Sequence, residues 1–455
     1  MNKKIIFPVI GGITLLVGLF VLFGIHNLSK DISTNKLEAT VLSIDDSKVM
    51  VQDKNNIIYT FEVDDMSSCY GENVMLEYTG ILNKNMELQD VSVVNCNTIP
   101  TANETSIPNE WHDEGMFSKY YTLAYNQMKK LSLEEKITQI MLVRYPDTNQ
   151  VNILKEKQFG GYVFYEKDFK NKTKEQVKKM MNDLQNIVKI PILTAVDEEG
   201  GNIVRISSNP NLSSEPFASP SELYDEGGFP KITEDTIKKS SLLKSLGLNL
   251  NLAPVIDVTT NSDAYMFDRT LQENTELTST YAKTVIEASK NSGVSYTLKH
   301  FPGYGNNLDT HLSVVTDTRT YNDILSNDIP PFKAGINVGA EAVLVSHNIV
   351  SSIDNNNPAS LSPSIHNLLR NELNFTGIII TDDLSMGATS SIDNVAVKAI
   401  LAGNDLIITT NYQSDLNNIK TAINNGTLSE TTIEKLATRI IAWKYYKGLL
   451  LENQK

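Results

Sequence analysis

The sequence predicts an α/β protein, a (β/α)8 barrel of the TIM type preceded by a transmembrane helix and a small all-β domain. Three observations predict it. Residues 5–24, "IIFPVIGGITLLVGLFVLFG", carry no charge and are long enough to cross a bilayer. Residues 37–97 hold short runs in which apolar positions alternate. From about Trp111 onward, apolar strand-like runs are separated by longer stretches of helical periodicity, the pattern of parallel β/α architecture.

The N-terminus comes first. Lys3 and Lys4 precede the apolar run and should stay in the cytoplasm, which puts everything after about residue 25 outside the cell. A cleaved signal peptide is the alternative. The run is long for that, and no small-x-small cleavage site follows it, so a cell-membrane anchor is the expectation. Residues 26–36 then read as a polar stalk.

In the 37–97 segment, "LEATVLSI", "KVMVQD", "IIYTFEV", "NVMLEYTG" and "LQDVSVV" are broken by "DDS", "DKNN" and "NKN". That is a small β-barrel or β-sandwich with tight turns, near the lower size limit for independent stability. Cys69 and Cys96 are the only cysteines. Outside the cell such a pair in one small domain reads as a disulfide, with two separate thiols as the plainer reading. Residues 98–112, with two prolines among turn-forming residues, form a linker.

Residues 113–455 supply eight strand candidates in order: "TQIMLV", "GGYVFY", "IPILTAV", "LNLNLAPV", "VSYTLK", "EAVLVS", "TGIIIT" and "NDLIIT". Eight fit a closed barrel, and an open doubly wound sheet is the alternative. Either architecture puts the chemistry where strands end.

Ionisable residues collect at those ends. "TAV" runs into Asp197, Glu198 and Glu199, "TLK" into His300, "LVS" into His347, and "IIIT" into Asp382 and Asp383. Each has a plainer reading. Asp383 sits where a helix cap belongs, Glu198 and Glu199 allow the same account, and a lone His347 reads as a packing histidine. Their convergence on one face argues for a site.

The loop "KHFPGYGNNLDTH", residues 299–311, is the densest stretch. Its glycines begin a dinucleotide fingerprint, but Leu308 stands where the third glycine belongs, and neither a Walker sequence nor a GxSxG elbow occurs anywhere. Asp309 and His311 could ligate a metal with Asp197 or His347, but no helical His-x-x-x-His pair supports a metal centre, and no metal or other cofactor is expected. With 40 basic against 54 acidic residues, the net charge of −14 argues against nucleic acid as a partner. Carboxylate chemistry remains. Asp309 and His311, two apart, can share one side of an extended loop, and the carboxylate can hold the imidazole ready to move a proton. Asp382, on another strand end, is then placed to act as a nucleophile.

"KHFPGYG...DTH", with "VDEEGGNIVR" upstream and "GIIITDDLSMGA" downstream, resembles the glycoside hydrolase family 3 β-N-acetylglucosaminidases of the NagZ-like branch. The likeness runs from about residue 113 to 450 and includes "PASLS" and "LAGNDLII". It implies a (β/α)8 barrel that removes terminal β-linked N-acetylglucosamine with retention. It implies Asp382 as nucleophile, Asp309 with His311 as acid/base dyad, and Asp197, Arg205, Arg269, Lys299 and His300 as sugar-binding residues. Tyr304 stands where the family usually has histidine, and Glu198 and Asn202 where glutamine and arginine are common, so fine specificity is expected to differ at Tyr304. The natural substrates implied are peptidoglycan fragments outside the cell. Transfer of the sugar to phosphate, or a wall-binding protein without catalysis, are the competing readings.

Overall fold

The computed structural model describes residues 35–45, 48–53, 57–62, 73–81, 86–89, 91–96, 111, 115–305, 307 and 314–450. The expected transmembrane run at residues 5–24 lies outside them, as does Cys69 and with it the expected pairing to Cys96. Among the described residues no helix is long and apolar enough to cross a membrane. The chain divides into two compact units, Met1–Thr105 and Ser106–Lys455.

The described part of the first unit is built on five antiparallel strands: β1 (Asn35–Asp45), β2 (Lys48–Asp53), β3 (Ile58–Glu62), β4 (Asn73–Tyr78) and β5 (Ser92–Cys96). Their order is β3-β2-β1-β4-β5. Alternation does what the sequence pattern asks. Val49 and Val51 of β2 are buried while Met50 between them is exposed, and they join Val41, Tyr59, Phe61, Val74 and Leu76 in one core. Beside this sheet Gly80–Ile81 pairs with Leu88–Gln89 in a two-stranded one, and among the described residues the strands close no barrel.

The second unit holds eight parallel strands: β6 (Met141–Arg144), β7 (Gly161–Phe164), β8 (Leu193–Val196), β9 (Leu250–Asn251), β10 (Ser295–Phe301), β11 (Ala342–Val345), β12 (Ile378–Asp383) and β13 (Leu406–Thr409). They form a closed barrel in sequence order. The closing ladder pairs Ile407 with Met141 and Thr409 with Val143, which excludes the open-sheet alternative. β7, β8, β11 and β13 are buried along their whole length. Strands covered on both faces need continuous apolar runs, and such runs are what marked them in the sequence.

Helices start at explicit signals. Ser132 with Glu135, Ser219 with Glu222 and Thr320 with Asp323 form capping boxes in which side chain and backbone satisfy each other. Because every barrel strand runs the same way, residues that end a strand meet at one rim.

Candidate active site

A cavity of about 490 Å³ opens at that rim. The strand ends and the turns after them deliver its walls: Arg144 from β6, Tyr165 after β7, Asp197 and Glu199 after β8, Lys299 and His300 from β10, and Asp382 and Asp383 from β12. Arg205, Tyr265 and Arg269 reach it from longer loops.

Four ions form its floor. Lys299 Nζ lies 2.7 Å from Asp197 Oδ1 and 2.6 Å from Glu199 Oε1. Arg269 grips the same Glu199 with two prongs, Nε to Oε2 at 2.9 Å and Nη2 to Oε1 at 2.8 Å. Two cations therefore meet two carboxylates, and the buried cluster is neutral. Burial alone would raise the Glu199 carboxyl, but Arg269 and Lys299 outweigh it and hold the group far below the usual carboxylate range. Burial would depress Lys299, yet Asp197 and Glu199 raise it against the opposing charge of Arg269. The lysine is thus kept charged, its donors fixed in direction.

His300 is oriented by a residue from the next strand over. Asp257 Oδ2 accepts from His300 Nδ1 at 2.8 Å, and its Oδ1 accepts from the Tyr304 backbone N–H at 2.7 Å. A carboxylate can only accept, so Nδ1 carries a proton and Nε2 is the nitrogen left for the cavity.

At the end of β12, the Asp382 carboxylate is half-buried and its Oδ1 accepts from the Asp383 N–H at 2.8 Å. Asp383 itself accepts from Ser385 N at 2.9 Å and Thr410 Oγ1 at 2.8 Å, so it shapes the turn after β12. His347 is fully buried, with Nε2 donating to the Asp383 carbonyl at 3.0 Å and Nδ1 accepting from Ser360 Oγ at 2.7 Å. The packing reading of His347 holds, whereas no helix starts at Asp383: the next begins at Val395, and Asp383 holds a turn at the cavity rim. Glu198 is likewise structural, because it takes the backbone N–H groups of Arg205, Ile206 and Ser207 and so shapes the turn that delivers Arg205.

Burial raises the Tyr165 hydroxyl, and the charges of Asp197, Asp383 and Asp382 push it the same way. Carboxylates from β8 and β12 are therefore felt at one ring. The Arg144 guanidinium covers that ring at 4.5 Å from its centroid, with Arg205 at 5.9 Å.

Asp197, Arg205, Arg269, Lys299, His300 and Asp382 thus share one cavity. Asp309 and His311 lie outside the described residues. Sequence reasoning passed over Glu199 and Asp257 as site residues. Glu199 had a signal, an acid two positions from Asp197 on the same strand end, whereas Asp257 lies two residues beyond the strand candidate "LNLNLAPV". Tyr304 is nearly buried, packed with Val255 and Met266, and its ring stands 5.7 Å from that of His300 and 5.9 Å from that of Tyr265. It backs the cavity wall rather than forming it. Among the described residues no group of three His, Cys, Asp or Glu is placed to hold a metal ion.

Residues 132–443 match the glycosyl hydrolase family 3 N terminal domain. The chain belongs to glycosyl hydrolase family 3. A beta-hexosaminidase of Xanthomonas campestris pv. campestris is 30% identical over 256 residues, 55% of this chain and 76% of that one. The solved structure of a family 3 beta-N-acetylglucosaminidase from Paenibacillus sp. aligns with a TM-score of 0.66 at 27% identity, over 70% of this chain and 63% of that one. A beta-N-acetylhexosaminidase from Beutenbergia cavernae aligns with a TM-score of 0.62 at 25% identity, over 69% of this chain and 99% of that one. This chain thus spans less than two thirds of the Paenibacillus structure.

Proposed function

We propose that this family 3 protein is a retaining exo-β-N-acetylglucosaminidase that releases terminal β-linked N-acetylglucosamine. The observation that carries the reading is the meeting, in one cavity, of the half-buried Asp382 with a neutral four-ion cluster. Asp382 attacks the anomeric carbon, and the sugar is held meanwhile by groups that need not move. Asp197 accepts from sugar hydroxyls, Lys299, Arg205 and Arg269 donate to its oxygens, and His300 donates or accepts through Nε2.

Retention requires a proton donor on the leaving-group side of the scissile bond, about 5 Å from the nucleophile when both are carboxylates. His311, oriented by Asp309, protonates the departing oxygen as the glycosyl-Asp382 ester forms. It then takes a proton from the water that hydrolyses the ester, returning the enzyme to its starting state. The relatives named beta-hexosaminidase support the choice of sugar. Peptidoglycan fragments are the substrate source we favour, with the chain anchored through residues 5–24 and the barrel outside the cell.

The test uses the full chain with an aryl β-N-acetylglucosaminide, with Asp382→Ala and His311→Ala beside the wild type. Wild type should release the phenol and give the β-anomer first by NMR, and Asp382→Ala should lose at least ~10³-fold in kcat, the scale of losing a covalent nucleophile. Full activity in Asp382→Ala, or the α-anomer as first product, would sink the mechanism.

A further inference from the structure

Two buried carboxylates outside the cavity, Asp317 and Asp328, have no part in the chemistry above. Arg319 lies between them. Its Nε and Nη2 grip Asp317 at 3.0 Å and 2.7 Å, and its Nη1 donates to Asp328 Oδ2 at 2.7 Å. Two carboxylates share one guanidinium, and Asp328 Oδ1 has no hydrogen-bond partner among the described residues. Burial pushes the Asp328 carboxyl up to about 7 against the pull of Arg319, with Asp257 and Asp317 adding to the rise. Such a cluster is poor value as a stabiliser, since apolar side chains of similar volume often do as well or better.

What the cluster touches suggests its use. A Cβ at Gly303 would lie 2.2 Å from Asp328 Oδ1, and one at Gly305 would lie 2.5 Å from Arg319 Cζ. The backbone of 303–305 therefore rests directly on the carboxylate and the guanidinium, which only glycine allows. The other partner, Asp317, belongs to the chain after residue 313. It is pinned there by a short parallel pairing of Thr316–Asp317 with Ile349–Val350 and by Ser351 N donating to Asp317 O at 3.0 Å. One side chain thus contacts the main chain just before residue 306 and grips the Asp317 carboxylate just after residue 313. The near side is joined to the sugar-holding wall as well, because Asp257 accepts from both Tyr304 N and His300.

We propose that Arg319 is a positioning residue for acid/base catalysis: it holds residues 303–305 against Asp317 and Asp328, and so fixes the described chain on either side of the stretch that carries Asp309 and His311. This rests on the acid/base role proposed for His311. Arg319 touches no substrate, so its removal should harm proton transfer and spare nucleophilic attack.

The experiment compares kcat/KM of full-chain wild type, Arg319→Ala, Arg319→Lys and His311→Ala on two substrates. One is a dinitrophenyl β-N-acetylglucosaminide, whose leaving group needs no proton, and the other an N-acetylglucosaminyl disaccharide, whose leaving group does. Arg319→Ala should lose about 10- to 100-fold on the disaccharide and no more than ~3-fold on the dinitrophenyl substrate, a fraction of the ~10²–10⁴-fold that general acid–base catalysis supplies. Arg319→Lys should fall nearly as far on the disaccharide, because a point charge cannot grip both carboxylates. Equal losses on the two substrates, no loss in Arg319→Ala, or full rescue by lysine would overturn the proposal. The His311→Ala control separates it from the reading beneath it. If that variant shows no leaving-group dependence, the acid/base assignment itself is wrong. If it does and Arg319→Ala does not, only the tie fails. Should Arg319→Ala not fold, Arg319→Lys on the same pair of substrates decides.

Discussion

Replacing Glu199 with glutamine tests whether the four-ion cluster works as a unit. Glutamine keeps the shape but removes the carboxylate that touches both Lys299 and Arg269, and turns an amide NH2 toward one of them. The cluster goes from neutral to one uncompensated positive charge, buried where Lys299 is 3% exposed. Breaking a buried ion pair from one side costs about 3–5 kcal/mol. For a unit of this size, with an unfolding entropy of about 2.1 cal/mol/K per residue, that is a fall in Tm of about 4–7 °C. Calorimetry of the full chain at pH 7 measures it.

The pH dependence has a definite sign. Glu199 is depressed below its ordinary 4.5, so its contribution is present above that value and is lost as pH falls below it. The gap between wild type and variant should narrow in acid. Lys299 also loses one of the two carboxylates that raise it against burial, so the alkaline limb of kcat/KM should move to lower pH. A variant that melts within a degree of wild type at pH 7, with an unmoved alkaline limb, would refute the claim that Glu199 holds the two cations.

Asp257→Asn leaves one oxygen where two now accept from His300 Nδ1 and Tyr304 N. At about 1.5–3 kcal/mol for a hydrogen bond to a charged group, kcat/KM should fall about 10- to 100-fold. The loss should be equal for good and poor leaving groups, because sugar holding is disturbed and proton transfer is not. Lys444, fully buried with Gln139 Oε1 as its acceptor at 2.9 Å, is depressed by burial to about 7. Between that value and its ordinary 10.5 the unfolded chain binds the extra proton, so stability rises with pH across this window. Lys444→Met should therefore stabilise by about 1–3 kcal/mol at pH 6 and flatten the rise. Denaturant melts at pH 6 and pH 10 check both, and a destabilised variant at pH 6 would contradict the buried-charge account.

The barrel was legible because parallel strands covered on both faces have no polar alternation to blur them: "GGYVFY" and "IPILTAV" can hardly be anything else. The rim was legible for a related reason, since a strand that must be apolar throughout makes any ionisable residue at its end conspicuous. Neighbouring residues of the same type were harder. Glu198 and Glu199 read alike in sequence, but successive side chains of an extended chain point opposite ways. One turns into backbone amides and the other into the cavity. Arg319 and Asp328 gave no signal, because their partnership depends on how a loop and two helices return to the barrel, which no local pattern encodes.

The difference between Glu198 and Glu199 also says how the site is built. A glycosidase that holds its sugar with charged groups must keep those groups ionised in a place where burial acts against charge. Here the barrel pairs them before any sugar arrives: Arg269 and Lys299 hold Glu199 ionised, and Asp197 and Glu199 hold Lys299 charged against its burial. The cluster's donors are then already aimed, so sugar binding need not spend free energy orienting them. Asp382 Oδ1 accepts the backbone N–H of the next residue, a contact that orients a carboxylate without neutralising it.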